Sequence, residues 1–194
     1  MGSVYRFYAA ATLLVVAVPA FSACWKPVPT PSALAFQVKQ PGNESITGEF
    51  TRYDGVVCLD PDNPGSARIN LDVETASVDT RLPELDRALK GPTFFDSSRW
   101  PQATFRSESV HRLKSSDRYE VRGKFTLHGV ARNITVPFTF IAAPNGKSAS
   151  LQGMTTIRRL DYGIGQGQFA DVQWAANDVK LEFTVKLAPQ QADD

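Results

Sequence analysis

Few side chains in this 194-residue sequence are of a type that does chemistry, and their spacing limits what each can do. The two histidines, His111 and His128, have no ligand spacing around them, so neither a zinc nor a haem site is expected, and no metal or cofactor is assigned. His128 precedes Gly129 and reads as an exposed turn residue. His111, beside Arg112, reads as a solvated strand end. Gly163-x-Gly165-x-Gly167 has the glycine density of a nucleotide loop. A dinucleotide site, however, needs a strand before the glycines and a helix after them. Strand patterning on both sides makes this a bending loop instead. Nucleophile elbow, P-loop and CxxC are all missing from the sequence. Without a nucleophile, base and orienter no catalytic residue is named, and the chain is not expected to be an enzyme. Asp161 has the strongest claim to a polar role. It follows Arg158 and Arg159, and a buried carboxylate needs a cation beside it. Arg158 and Asp161 are therefore expected either to pin the glycine loop as an ion pair, the preferred reading, or to touch a ligand.

The sequence holds two cysteines, Cys24 and Cys58. Cys24 closes the run Phe21-Ser22-Ala23-Cys24, which resembles a bacterial lipobox with Phe21 as a departure; its thiol would then be the lipid attachment point. Cleavage after Ser22 is the competing reading, and it leaves Cys24 to pair with Cys58 in an oxidising compartment. The lipobox reading is placed first. Upstream, Arg6 precedes an apolar run over residues 9–18, then Pro19 and small residues, the layout of an export signal. Residues 1–23 are read as that signal, 24–32 as a proline-rich linker, 33–189 as one domain and 190–194 as a tail. The expected location is outside the cytoplasm, with a membrane contact only through a lipidated Cys24. A net charge of +1 leaves no electrostatic footprint for nucleic acid or for anionic lipid.

The elements that must position these residues are mostly strands. Leu34, Phe36 and Val38 alternate with polar neighbours, as do Ile69, Leu71 and Val73, and Val179, Leu181, Phe183, Val185 and Leu187. Residues 46–53 form a strand bent at Gly48. Residues 103–110, 119–127, 134–140 and 149–157 complete the set, with His128-Gly129 and Asn145-Gly146 as hairpin turns. Pro137 sits mid-strand and lacks an N–H, so an edge, bulge or seam is expected there. Leu82, Leu85 and Leu89 at three- and four-residue spacing predict one helix, capped by Asp79 or Thr80 and stopped by Gly91-Pro92. About eight antiparallel strands with one apolar face and one short helix predict an all-β fold closed as a barrel or sandwich.

Five stretches resemble a known family in order and spacing: Asp60-Pro61-Asp62-Asn63-Pro64; Ser77-Val78-Asp79-Thr80; the run from Phe94-Phe95-Asp96 through Trp100-Pro101 to Phe105; Phe125-Thr126-Leu127-His128-Gly129-Val130; and Leu160-Asp161-Tyr162-Gly163-Ile164-Gly165. They are similar to the signatures of YceI-like proteins over residues 34–187. The resemblance implies an eight-stranded antiparallel lipocalin-like barrel, periplasmic, that binds polyisoprenoids or related amphiphiles. The stretch 165–171 looks more like the branch that travels with membrane cytochromes. An isoprenoid quinone is the leading ligand, a polyisoprenoid the other, and a membrane cytochrome is a candidate partner.

A carrier of such a lipid needs little polar chemistry. Burying one CH₂ contributes about 0.8 kcal/mol, so a five-carbon unit contributes on the order of 3–4 kcal/mol before losses. The expected wall is Phe36, Phe50, Leu71, Phe105, Phe125, Ile134, Phe138, Leu151, Ile157, Leu181 and Phe183, with Phe94, Phe95 and Trp100 closing the mouth. The same residues would pack a solid interior equally well. That would fit a lipid-anchored accessory or interaction module of a membrane cytochrome or stress-response system without a ligand, the alternative to a carrier.

Overall fold

Alternating apolar residues bury one face of a strand, and here every such face turns inward around a common axis. The computed structural model describes residues 24–114 and 117–190; the expected export signal and residues 191–194 lie outside the described residues. Ten strands form one sheet: β1 (Cys24–Lys39), β2 (Ser45–Phe50), β3 (Tyr53–Cys58), β4 (Arg68–Glu74), β5 (Val78–Asp79), β6 (Gln102–Arg112), β7 (Arg118–Leu127), β8 (Val130–Ala142), β9 (Ala149–Arg158) and β10 (Asp178–Pro189). β2 and β3 are two halves of one wall position, separated at Thr51 and Arg52. β4 and β5 are likewise split by a 3₁₀ turn at Thr75–Ser77. The wall therefore has eight positions in chain order, and β10 pairs antiparallel with β1 from Trp25↔Pro189 to Val38↔Val179 to close it. The fold is the expected closed eight-stranded antiparallel barrel with one short helix.

Several local expectations are corrected. Residues 24–28, read as linker, are wall: Cys24 pairs with Cys58 of β3 and residues 25–28 with 186–189 of β10, and Trp25 is only 3% exposed. Proline cannot donate to a ladder but tolerates extended backbone, and burial of the indole against Phe140 holds the segment in place. The register of β1 slips between Val28 and Ala33, which absorbs the proline-rich stretch as a bulge. Cys24 stands opposite Cys58 and is joined to it by a disulfide. The thiol is thereby consumed, so lipid attachment at Cys24 gives way to the pairing reading.

Gly48 does not bend its strand. It pairs with Phe36 inside β2, and a Cβ there would lie 2.6 Å from the Phe36 ring. The break comes at Thr51 and Arg52, where Ser77 Oγ accepts from the Arg52 N–H. The helix α1 (Pro83–Lys90) has proline in its first turn, acidic Glu84 and Asp86 near its start, and basic Arg87 and Lys90 near its end. Neither Asp79 nor Thr80 caps it. Asp79 ends β5 and turns its carboxylate to the Arg81 N–H. The capping runs backwards: Asp86 accepts from both the N–H and the hydroxyl of Thr80. Leu82 lies before the helix and is 60% exposed, while Leu89 is buried.

Pro137 does mark a seam. β7 pairs with β8 along its length, but β8 meets β9 only from Phe138↔Gly153 to Ala142↔Ala149. The ladder stops at the residue without an N–H. His128 and Gly129 both take positive φ, as the two-residue hairpin requires.

Candidate functional site

The inward faces do not all meet. A cavity of about 380 Å³ lies in the lumen, within the size class of small-molecule sites. Its wall comes from β1 (Leu34, Phe36, Val38), β4 (Ile69, Leu71, Val73), β6 (Ala103, Phe105), β10 (Val179 to Leu187 by alternation) and their neighbours. α1 adds Leu85 and Leu89, and the loop after β9 adds Ile164, Phe169 and Trp174.

The two ends of the lumen differ. Toward the disulfide, Trp25, Val110, Tyr119 and Phe140 are buried against one another. Tyr119 stacks on Phe138 at 5.4 Å, and its burial pushes the phenol above its ordinary range. This end is a floor. Toward the helix, rings meet in tilted pairs: Phe36–Phe50 at 5.8 Å, Phe50–Phe95 at 5.6 Å and Phe94–Phe169 at 5.1 Å. Trp174 lines the cavity yet is 56% exposed, so the cavity reaches solvent here. This end is the mouth.

Of the residues expected in the wall, Phe36, Phe50, Leu71, Phe94, Phe95, Phe105, Phe125, Ile134, Phe138, Leu151, Ile157, Leu181 and Phe183 all border the cavity. Trp100 does not. The chain turns after Asp96, whose carbonyl accepts from the Trp100 N–H. The indole then packs outside, across Gly129, where a Cβ would lie 2.6 Å from it, and edge-on to His128. The Arg99 guanidinium lies over the same indole, 5.2 Å from the ring centroid. His128 is accordingly half-buried rather than exposed, with Nδ1 3.2 Å from the Tyr162 carbonyl oxygen.

Arg158 and Asp161 form the expected ion pair, bidentate at 2.9–3.1 Å, on the outer surface. They fix the turn after β9 and do not reach the cavity. The side chain the sequence reading passed over is Arg159. It is 5% exposed and borders the cavity. Its guanidinium donates to four backbone carbonyls: Ala176 from Nε at 2.9 Å, Ile164 and Gly165 from Nη1 at 2.9 and 3.5 Å, and Ala175 from Nη2 at 2.7 Å. Burial pushes it below the ordinary arginine value. A signal for it existed: Ala149, Leu151, Gly153, Thr155 and Ile157 alternate along β9, and one more step reaches residue 159. Trp174 and Phe169 had no such signal, because they lie in irregular backbone. Gln40, Asn70 and Thr155 are the other polar residues, tyrosine and tryptophan apart, on an otherwise apolar wall. Among the described residues no group of three His, Cys, Asp or Glu side chains is placed to hold a metal.

Residues 25–187 match the model of the YceI-like domain. Protein YceI of Escherichia coli O157:H7 is 30% identical over 160 residues, covering 80% of this chain and 81% of that protein. A UPF0312 protein of Yersinia pestis (strain Pestoides F) is 31% identical over 157 residues, 79% of each chain. Among solved structures, BcnA of Burkholderia cenocepacia superposes with a TM-score of 0.77 at 28% identity, over 82% of this chain and 98% of that one. A polyisoprenoid binding domain from Saccharophagus degradans, implicated in plant cell wall breakdown, shares the fold with a TM-score of 0.66 at 17% identity, over 87% and 99%.

Proposed function

The chain belongs to the YceI-like family, and from that premise we propose that it binds a hydrophobic isoprenoid-type ligand in its barrel and carries or sequesters it outside the cytoplasm. The observation that carries this reading is the apolar cavity of about 380 Å³ that opens at the helix end. Association costs on the order of 4–15 kcal/mol. Three buried five-carbon units, at about 0.8 kcal/mol per CH₂, offset that cost without polar contacts. The Saccharophagus domain named for polyisoprenoid binding supports the ligand class by shared fold. The tail of an isoprenoid quinone fits the same wall. The Cys24–Cys58 disulfide supports a periplasmic location, because such bonds persist in oxidising compartments.

The alternative is an accessory or interaction module of a membrane cytochrome or stress-response system that needs no ligand. It calls for a filled interior, and the cavity weighs against it.

Lipid mass spectrometry on protein purified from its own host tests the proposal. A co-purifying isoprenoid in repeated preparations is the expected result. Protein that comes through gentle purification with no amphiphile, and takes up none when one is offered, overturns it.

A further inference from the structure

We propose that Arg159 is the head-group site of the cavity, and that the ligand is a single-tailed amphiphile with an anionic head, a carboxylate or a phosphate. This rests on the carrier reading above and goes beyond it, since an apolar wall selects a tail and is silent about the head.

The geometry is that of a cation held ready. Arg159 is inserted from the end of β9, two residues past Ile157 on the same inward face, and it borders the cavity. The loop is shaped around it. Gly165 has a φ of +80°, and a Cβ there would lie 2.3 Å from Arg159 Nη1. The carbonyls of Ile164, Gly165, Ala175 and Ala176 occupy four of the five guanidinium N–H groups. None of these acceptors carries a full charge. Among the described residues no carboxylate forms an ion pair with Arg159. Asp161, the nearest acid in sequence, is taken by Arg158 on the outside.

A buried charge without a counter-ion is costly, and dipoles offset only part of that cost. Tying the loop down uses the donors of the guanidinium and not its charge. The charge has a use once an anion enters. In a low-dielectric, water-poor lumen, a carboxylate or phosphate beside the guanidinium gains far more than it does in water. The position suits a head rather than a tail. The Ala176 N–H donates to the Lys39 carbonyl, which brings Gln40 to the same rim, and Trp174 beside Ala175 opens to solvent. A tail seated toward the floor leaves its head at this rim.

The test compares chain-matched probes on the intact, oxidised protein by calorimetry: palmitate and hexadecanol for one chain, geranylgeranyl phosphate and geranylgeraniol for the other. The expected result is that each anion binds at least about tenfold more tightly than its alcohol, as a charged hydrogen bond warrants. In Arg159→Gln the preference of each anion over its own alcohol collapses. The two anions tell carboxylate from phosphate. Because the substitution also loosens the loop, a second readout uses the unaltered protein. The Arg159 Nε–H resonance is expected to shift on adding palmitate and to stay put on adding hexadecanol. Equal affinity for anions and alcohols, or a resonance that ignores the anion, overturns the head-group site and leaves the carrier reading standing. If none of the four probes binds, the carrier reading falls, and this inference with it.

Discussion

The floor and the mouth of the barrel are written in the same alternating code and end in opposite states. At the floor, the bulky rings of Trp25, Tyr119, Phe138 and Phe140 are contributed by strands alone and pack together, Tyr119 on its cross-strand partner Phe138 and Trp25 on Phe140. At the mouth, strand residues such as Phe36 and Leu181 share the lumen with α1 and with the loop carrying Ile164, Phe169 and Trp174. Many apolar side chains there, including Leu34, Phe50, Phe94 and Leu181, are only half-buried. Loops hold their side chains at a distance that strand geometry does not set, so space remains. The disulfide sits at the floor, where β1 meets β3 through two residue pairs only. A cross-link reinforces the wall at a short ladder, on the side away from the opening.

The contrast can be broken from either end. The largest effect is expected from Phe140→Ala at the floor. A ring packed on Trp25 leaves a void its neighbours cannot fill, and urea unfolding should show a loss of about 3–5 kcal/mol. Replacing both cysteines, Cys24→Ser with Cys58→Ser, should cost about 2–4 kcal/mol by the same measurement. A prenyl probe should still bind that variant in native buffer, because the mouth is untouched. Phe50→Ala removes a ring of the same size at the mouth. It opens onto space already present, so its cost should be smaller, on the order of 1–2 kcal/mol. A loss equal to that of Phe140→Ala would mean that the two ends are packed alike. Thr155→Phe fills the cavity from the wall and should weaken binding of a prenyl chain by about tenfold or more, with little change in thermal midpoint. Unchanged affinity would place the ligand elsewhere.

The smallest effect concerns the rim and pH. Bonds from the Thr80 hydroxyl, and then its N–H, hold the Asp86 carboxyl below the usual carboxylate range against the opposing pull of burial. A folded-state value depressed in this way stabilises the protein above the unfolded carboxylate pKa of about 3.9. That contribution is lost as pH falls through the folded value. A carbon-detected NMR titration should place Asp86 below an ordinary aspartate, and Thr80→Ala should return it toward the ordinary range.

Much of the architecture was legible in the chain, for identifiable reasons. Period-two alternation named the inward faces, and His128-Gly129 and Pro137 marked a hairpin and a seam, because positive φ and a missing N–H are local properties. Most errors fell where a local rule met a tertiary competitor. The prolines after Cys24 read as a linker, yet burial of Trp25 drew that stretch into the wall. Gly48 read as a bend, yet it makes room for the Phe36 ring. Asp79 read as a helix cap, yet its strand ended too early and Asp86 reached back instead. Trp100 read as part of the mouth, yet a turn at Asp96 sent it to the outside.

By itself the sequence determined which residues face inward, since that follows from backbone periodicity and from the need to bury one face; the same pattern served a barrel or a sandwich, and the family resemblance implied the barrel. Only the tertiary structure decided that the lumen is closed at one end and hollow at the other, that Cys24 meets Cys58, and that Arg159 rather than Arg158 points inside. Those outcomes depend on distances between segments far apart in the chain, and side-chain period carries no information about distance.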